Sequence, residues 1–515
     1  MRPRHLLAAA LAFASGAFAD DALAATYRVG PNETYKQLTP LMRDVLQPGD
    51  VVEVEGDATY DGDLVLWGGN WPGATTGTPE QPITIRGIRK NGKRPVIRGG
   101  GEWGIVLYMN WSVFEGFEVE GGSMAAIVHK GHEVTIRDVL VRDCGAGQGI
   151  LGTDGESGSL LLEHSEVRNC GDGVYRHSIY IAGDELMYPG HVFRMQHCYV
   201  HSALGGNLVK SRAERNEIHY NWLEGALYHE LDLIGPVDPV VEGLAREDSE
   251  IVGNVIIKAE GNTYGCLRAG GDGNLSTHGR YRMVNNTCVL SSASRAPFFL
   301  QYELESLELR NNVFTGGAPD ARLAIMADGA DAPIGGSNNY FADQIELVTS
   351  AATPVELVDS LRAGDPGFVS LATLDLRPTA TSALVDAGAD PIPTWDAHPF
   401  PNPLARPAFL PPPRGIPASM QPVLRAEVGS LDLGALEFGV DPGSPGEGEG
   451  EGGAGGGSLD ERDMTVGEPS PGCDCSATAG SSPRSGGLSA LLGAGLLAAA
   501  LRRRRAAARS TRPRA

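Results

Sequence analysis

Four hexapeptides share the pattern that decides the fold: IHYNWL (218–223), IVGNVI (251–256), MVNNTC (283–288) and LRNNVF (309–314). Each has an asparagine three residues after one apolar residue and two residues before another, and SNNYF adds a fifth asparagine, Asn339. Earlier segments keep the apolar positions with a different residue at the asparagine position: FEGFEV at Phe117, IRDVLV at Val139, LEHSEV at Ser165 and MQHCYV at Cys198.

The spacing of this repeat identifies its architecture. Successive anchor positions lie 22 to 33 residues apart. Rigid helical repeats keep a fixed period, so the variable spacing argues against them. A coil of about three short strands fits the shortest spacing, and longer spacings place the excess in outer loops. Because each coil pairs with the coils above and below it, we expect stacked asparagines in a turn and stacked aliphatic side chains in the lumen.

The composition agrees with a turn-rich, all-β chain. The 515 residues include 69 Gly and 34 Pro, and 42% of all residues are hydrophobic. This content excludes an unfolded chain and a multi-span membrane protein. The formal charge of −22 excludes nucleic-acid binding, which requires a basic surface. Polyanions would be repelled as well, unless a local cationic patch or a bound metal ion intervenes.

Both ends of the chain are predicted to be sorting segments. Residues 1–24 have a charged start, a short apolar run and a small-residue exit, which predicts a signal peptide and export. Residues 441–471 are rich in Gly, Glu, Ser and Pro and are predicted to form a flexible linker. Residues 472–515 contain Cys473, an apolar stretch over 488–501 and an arginine cluster at 502–505. A plain C-terminal membrane anchor is the alternative for this last segment.

Two resemblances extend this description. Residues 472–515 resemble the MYXO-CTERM sorting tails of myxobacterial surface proteins. That resemblance implies cleavage near Cys473 by a sorting protease at the membrane, with the product retained at the cell surface or secreted. Residues 25–440 resemble secreted pectin-lyase-like proteins, which implies one right-handed parallel β-helix domain; we expect a monomer.

The ends of such a solenoid need caps, because they expose core and strand edges. The apolar spacing in residues 35–46 (YKQLTPLMRDVL) predicts a short N-terminal capping helix despite Pro40. At the far end, three segments resemble the closing segments of pectin-lyase-like proteins: GDPGFV (364–369), LVDAGAD (384–390) and DLGALEFG (432–439).

The cysteines are predicted to be mainly buried thiols. Two of the seven belong to the C-terminal segment, and an odd remainder of five argues against a complete disulfide framework. Cys144 and Cys170 each follow their anchor by five residues, so they are expected to lie one above the other. This pair is the one bridge that the repeat predicts.

The candidate site lies on the second strand of each central coil: HSIYI (177–181), NLVKS (207–211), HELDL (229–233) and GCLR (265–268). Strand alternation predicts an outward column of Tyr180, Lys210, Asp232 and Arg268, with neighbours about 4.8 Å apart. Arg212 is predicted on the same side as Lys210, and Glu230 on the same side as Asp232.

The Lys-Ser pair in this block resembles the alginate lyase and chondroitinase B family. There a lysine acts as base, an arginine on the next coil acts as acid, and Ca²⁺ neutralises the uronate. Lys210 matches that lysine. Where the family has its arginine this chain has HELD (229–232), so Arg212, Arg268 or His229 is expected to take that role. The calcium ligands cannot be carried over residue by residue.

The remaining candidates have two interpretations each. Glu230 and Asp232 suit either a Ca²⁺ site or the acid–base pair of a glycoside hydrolase. Tyr180 and Trp222 suit stacking on sugar rings, or else cover a coil edge. His177 suits substrate binding, but it and His229 would equally well hydrogen-bond turns. The charged residues together would also form a surface ion-pair ladder.

Three functions therefore compete. The first is an exported lyase that cleaves an acidic polysaccharide by β-elimination, with Lys210 as base. The second is a hydrolase that uses Asp232 with Glu230. The third is a non-catalytic surface protein that binds glycans or partners through one face of the solenoid. The first function is the one we expect, and the other two are alternatives; the missing arginine and the acidic body add weight to the third.

Overall fold

The structure is a computed structural model that describes eleven stretches of the chain: 24–41, 45–68, 76–152, 155–235, 248–271, 279–327, 329–351, 353–400, 406–415, 420–426 and 428–443. Nearly all of the predicted signal peptide, most of the predicted linker and the entire C-terminal sorting segment lie outside the described residues.

The described strands form three long parallel sheets and one antiparallel hairpin. Sheet 1 has thirteen strands: Thr26–Val29, Val51–Glu55, Ile83–Ile88, Ser112–Glu115, Val134–Arg137, Leu160–Glu163, Val192–Gln196, Arg215–His219, Ser249–Val252, Arg280–Val284, Ser306–Arg310, Ile334–Ser337 and Val355–Val358. Sheet 2 has eleven: Leu64–Leu66, Trp103–Leu107, Ala125–His129, Gln148–Gly152, Ile179–Ala182, Val209–Arg212, Leu231–Leu233, Leu267–Ala269, Phe298–Leu300, Arg322–Met326 and Glu346–Thr349. Sheet 3 has twelve: Thr59–Asp61, Val96–Gly99, Glu118–Gly121, Leu140–Arg142, Glu166–Arg168, Tyr199–His201, Trp222–Glu224, Val255–Ile257, Thr287–Val289, Val313–Thr315, Tyr340–Ala342 and Leu361–Ala363. The hairpin joins Phe368–Ser370 to Asp375–Pro378.

From Val51 to Ala363 the chain visits the sheets in a fixed order, sheet 1, then sheet 3, then sheet 2, and starts the next coil on sheet 1. Every neighbouring pair within the three sheets is parallel and joins one coil to the next, as between Val192–Gln196 and Arg215–His219. This winding confirms the predicted parallel β-helix.

The predicted asparagine stack is confirmed at the turn between sheets 1 and 3. Except for Asn339, the last in the stack, each side-chain amide donates to the Oδ1 of the asparagine one coil further on, as from Asn221 to Asn254 (2.9 Å) and from Asn286 to Asn312 (2.9 Å). Asn286 Nδ2 also donates to the carbonyl of Ile251 at 2.8 Å. All of these asparagines are fully buried. Removing one carboxamide would therefore leave several buried polar groups unpaired, at about 1–3 kcal/mol each.

The residue before each stacked asparagine makes the turn tight. Tyr220, Gly253, Asn285, Asn311 and Asn338 all have φ between +52° and +64°. Asparagine and glycine adopt this left-handed conformation more readily than other residues. The asparagine pairs NN at 285–286, 311–312 and 338–339 therefore combine a turn residue with a stacked residue, which is why the late copies of the repeat are the most regular.

Two disulfides connect neighbouring coils. The predicted Cys144–Cys170 bridge is confirmed, with Cα atoms 4.8 Å apart. The prediction of free thiols is wrong for Cys266 and Cys288, which form a second bridge with a Cα–Cα distance of 6.7 Å. Cys266 lies in the turn before sheet 2 and Cys288 on a sheet 3 strand, so their offsets in the repeat differ. Cys198 remains a buried thiol, and burial raises its pKa to about 12.

The N-terminal cap differs from the prediction. In the described part of residues 35–46, the predicted helix is reduced to one 3₁₀ turn, Thr39–Leu41. Pro40 lacks an N–H and so favours only the start of a helix. The main core nevertheless includes the buried side chains of Leu38, Leu41 and Leu46, so these apolar residues do cover the first coil. Among the described residues, no helix has the length and apolar character needed to cross a membrane.

The C-terminal segments run back along the outer face of sheet 3. Leu433 and Leu384 pack against Val313 and Tyr340. A second cluster joins Trp222, Val255 and other sheet 3 residues to C-terminal residues: Leu376, Leu410, Ala435 and Leu436. The expectation that these segments close the far end is therefore wrong, because they cover a side of the solenoid. Apolar residues of the last coil stay exposed, with Val358 at 57%.

Candidate functional site

The four outward residues predicted on sheet 2 form one column. Strand pairing sets Tyr180 beside Lys210, Lys210 beside Asp232, and Asp232 beside Arg268. Their inward neighbours are fully buried and pair in the same register: Ile179, Val209, Leu231 and Leu267. The predicted register is confirmed, because the period of two in these strands fixes which side chains face the lumen.

Asp232 is the electrostatic centre of this column. Its side chain is fully buried, whereas those of Lys210 and Arg268 are 16% and 19% exposed. Arg268 Nη1 donates to Oδ1 at 3.1 Å, and Lys210 Nζ lies 3.8 Å from Oδ2. Burial alone would raise the pKa of Asp232, but Arg268 and Lys210 together outweigh burial and lower it. Asp232 is therefore an ionised group that holds two cations at the surface of the sheet.

Lys210 lies between this ion pair and an aromatic ring. Its Nζ is 5.5 Å from the centroid of the Tyr180 ring, which is a cation–π distance. The ammonium group thus has one anionic neighbour and one aromatic neighbour, and part of it reaches solvent. The ring of Tyr180 and the ends of Lys210 and Arg268 are the partly exposed parts of the charged centre.

The turn before these strands supports the column through Asn207, which the sequence did not single out. Asn207 Nδ2 donates to Asp232 Oδ2 at 2.8 Å, and its Oδ1 accepts from the backbone N–H of His229 at 2.9 Å. Its own N–H donates to His177 Nδ1 at 3.0 Å. The only sequence signal was its place in the block between HSIYI and HELDL, two residues before the sheet 2 strand.

The two histidines are buried turn residues. Burial lowers the pKa of His177 to about 4 and that of His229 to about 3, so both rings are neutral near pH 7. His229 Nδ1 hydrogen-bonds the carbonyl of Gly265 at 3.1 Å, and its ring packs edge-on against Phe299 at 4.8 Å. By sequence His229 is a candidate for the catalytic acid, but a neutral, buried ring has no imidazolium proton to donate near pH 7. Its contacts are those of a turn residue.

Two of the predicted charged residues, Glu230 and Arg212, are buried instead of exposed along the column. Glu230 pairs with Lys258 at 2.8 Å, with both side chains fully buried, and accepts from the N–H of Ala226. Burial raises the pKa of Glu230 to about 7 and lowers that of Lys258. Arg212 is also buried, and its Nη1 donates to the carbonyl of Gly235.

Trp222 lies on a different sheet from the column. It belongs to the sheet 3 strand Trp222–Glu224, pairs with Tyr199 and Val255, and is 5% exposed beneath the C-terminal segments. Its indole N–H donates to Glu224 at 2.8 Å. Trp222 therefore does not lie beside the column, although it follows Lys210 by only twelve residues in the sequence.

Charge ladders also run over the other two sheets. On sheet 1, Glu115 lies between Arg86 and Arg137 and pairs with both. On sheet 3, Arg142 pairs with Glu118 and with Glu120, the latter at 2.9 Å. The carboxylates of these ladders retain some exposure, whereas Asp232 has none. The Lys210 column therefore differs from them in its fully buried anion and in its aromatic neighbours.

The described residues do not fit a calcium site at Glu230 and Asp232. They contain no group of three or more His, Cys, Asp or Glu side chains arranged to hold a metal ion. The oxygens of Asp232 face Asn207, Lys210 and Arg268, and Glu230 faces Lys258. Calcium at this place stays a prediction without a ligand set in the described part of the chain.

Comparisons with known proteins give structural similarity at low identity. No protein-family model matches the chain, and a search of curated proteins finds no match. Pectate lyase Pel9A is 13% identical with a TM-score of 0.48, over 80% of this chain and 96% of that one. An alginate lyase from Paenibacillus sp. str. FPU-7 is 14% identical with a TM-score of 0.39, over 65% and 99% of the two chains. A lacto-N-biosidase from Eubacterium ramulus is 12% identical with a TM-score of 0.33, over 66% and 68%.

Proposed function

We propose that the outer face of sheet 2 binds an acidic polysaccharide and cleaves it by β-elimination, with Lys210 as the base. The observation that supports this most is the position of Lys210, which is partly exposed between the ring of Tyr180 and the Asp232–Arg268 ion pair. The column carries one net positive charge on a chain whose formal charge is −22. A local cationic centre is what an acidic ligand requires on such a surface.

The reaction assigns a role to each exposed group. The ammonium group of Lys210 first gives a proton to water. The resulting amine removes the proton at C5 of the uronate, the electron pair of that C–H bond forms the C4–C5 double bond, and the C4–O bond breaks. The departing oxygen takes a proton from protonated Lys210 or from water. Arg268 is in place to pair with the uronate carboxylate, where negative charge develops. Tyr180 offers a ring face for the neighbouring sugar.

The hydrolase alternative has less support. A glycoside hydrolase needs two carboxyl groups that flank the scissile bond, one of which is protonated. Asp232 is buried and has a lowered pKa, and Glu230 is engaged with Lys258. The non-catalytic alternative uses the same face and differs only in turnover, so activity measurements separate it from the lyase.

Incubation of the purified protein with polygalacturonate, alginate and hyaluronan is expected to produce an unsaturated uronate that absorbs in the ultraviolet. The C4–C5 double bond conjugates with the carboxylate, whereas hydrolysis adds water across the glycosidic bond and creates no double bond. New reducing ends without absorbance would contradict elimination and indicate hydrolysis. Binding without either product would leave a glycan-binding protein.

We also propose that the protein is exported and then retained at the cell surface. The signal-peptide pattern in residues 1–24 and the sorting pattern in residues 472–515 support this. Mass spectrometry of the mature protein from the native envelope is expected to find an N-terminus near residue 20–25 and a C-terminus near Cys473. Recovery of both intact termini from the cytoplasm would contradict the proposal.

A further inference from the structure

The outward column of sheet 2 continues beyond the charged centre on both sides. Strand register extends it through Leu151 before Tyr180 and through Phe299 after Arg268. Its outer positions are all apolar: Val65, Val106 and Val128 on one side and Ile325 on the other. At roughly 4.8 Å per coil, the apolar side from Val65 to Tyr180 spans about 19 Å.

Aromatic rings cover the apolar side. Val106, Val128 and Leu151 are buried, and they pack against the half-buried rings of Trp103, Tyr108 and Tyr180. Another ring, that of Trp67, stacks on Tyr108 at 5.4 Å with the planes 4° apart. This side of the column therefore presents ring faces and edges to a ligand, which suit the apolar faces of uncharged sugars.

Among the described residues of the column, the charged side chains all lie at its centre. Lys210, Asp232 and Arg268 give one net positive charge there, whereas the ladders on sheet 1 and sheet 3 alternate in sign over several coils. A homopolymer of uronic acid carries a carboxylate on every residue. On the apolar side, Lys130 has its Nζ 5.5 Å from the centroid of the Tyr108 ring, but it is paired with the carboxylate of Glu156 at 3.9 Å. Carboxylates beyond the centre would therefore lie mainly on aromatic and aliphatic side chains and lose hydration.

We infer that this face takes a heteropolysaccharide in which acidic residues are separated by neutral ones, rather than a homopolymer of uronic acid. The inference rests on the proposed function and specifies its substrate. One uronate pairs with Lys210 and Arg268, and the neutral sugars on either side lie on the ring of Tyr180 and on Phe299. The spacing of charge in the ligand thus follows the spacing of charge in the column.

Binding to hyaluronan and to polygalacturonate at one ionic strength tests this. Hyaluronan alternates a uronate with a neutral amino sugar, and the wild-type protein is expected to bind it about tenfold more tightly. Leu151→Lys and Ile325→Lys each add a cation on one side of the centre and are expected to reduce that preference at least threefold. Leu161→Lys adds the same charge on sheet 1, beside Arg194, and is expected to leave the preference unchanged.

Each outcome decides one of the two claims. Equal or tighter binding of polygalacturonate by the wild-type protein would overturn the inference and leave the proposed function standing. An unchanged preference in both Leu151→Lys and Ile325→Lys, with folding intact by circular dichroism, would also overturn it, because the ligand would not contact the column there. Failure to bind any acidic polymer would overturn the proposed function, and the inference with it.

Discussion

Replacing Lys210 with methionine is expected to lower the rate of β-elimination by about 10³-fold or more, because a positioned general base contributes roughly 10²–10⁴-fold. Methionine keeps the length and apolar stem of lysine and removes only the amine. Asp232 keeps its hydrogen bonds from Arg268 at 3.1 Å and from Asn207 at 2.8 Å. The melting temperature should therefore change little, and the loss should appear in kcat.

Lys93→Met is the matched control for this variant. Lys93 is 61% exposed and pairs with Asp57 at 3.2 Å, in the connection between the sheet 1 strand Ile83–Ile88 and the sheet 3 strand Val96–Gly99 of an early coil. It should keep wild-type turnover. If Lys210→Met also kept wild-type turnover while remaining folded, Lys210 would not be the base.

Acidification is expected to unfold the protein between about pH 5.5 and pH 4. Five buried histidines have pKa values lowered mainly by burial, to about 4 or about 3: His129, His177, His191, His197 and His229. In an unfolded chain each would titrate near 6.5. The unfolded state therefore binds more protons than the folded state throughout this window, and stability falls as the pH falls.

The size of the effect follows from the number of groups. Inside this pH window, each histidine lowers the free energy of unfolding by up to about 1.4 kcal/mol per pH unit, so five histidines lower it by up to about 7 kcal/mol per pH unit. That is comparable to the whole stability of a typical domain, about 5–15 kcal/mol. Glu230 opposes the trend, because its pKa is raised to about 7 and its protonation stabilises the folded state. Asp432 and Glu437 oppose it as well, because burial raises their pKa values, whereas His132 and His164, whose pKa values burial lowers, add to the five. The histidines are the larger group.

Melting temperatures from pH 7.5 to pH 4.5 measure this directly. They should be nearly constant above pH 6.5 and fall steeply below it. His197→Asn should reduce proton uptake on unfolding by about one, so that the melting temperature falls less steeply with pH. Asparagine does not titrate, and it tolerates the positive φ of 54° at this position. A melting temperature that stays constant down to pH 5 would contradict the predicted uptake of protons.

The sequence predicts most of the fold because successive coils of a solenoid repeat the same pattern of residues. The stacked asparagines, the lumen and the register of Tyr180, Lys210, Asp232 and Arg268 all follow from one short pattern and from strand alternation. Alternation holds only within strands, however. Glu230 lies just before the strand Leu231–Leu233, in a turn, so its side chain goes to Lys258 instead of the outer face.

The repeat pattern does not predict contacts between segments that are distant in the sequence. Trp222 suits sugar stacking by residue type, but segments around Leu410 and Leu436 cover it. Asn207 supports Asp232 from a turn that the repeat pattern does not align, and Cys266 meets Cys288 across two different columns. Each of these depends on a partner that no local pattern specifies.

Neutralising one arginine on each sheet tests most directly whether sheet 2 is the binding face. Arg268→Gln, Arg194→Gln and Arg168→Gln remove the same charge from sheets 2, 1 and 3, at side chains that are 19%, 48% and 38% exposed. Affinity for polygalacturonate, alginate and hyaluronan is measured at constant ionic strength. We predict that Arg268→Gln weakens binding of the preferred polymer about tenfold and that the other two change it less than about twofold. Equal losses for all three variants would show that the acidic polymer responds only to overall charge, and would contradict a site on sheet 2.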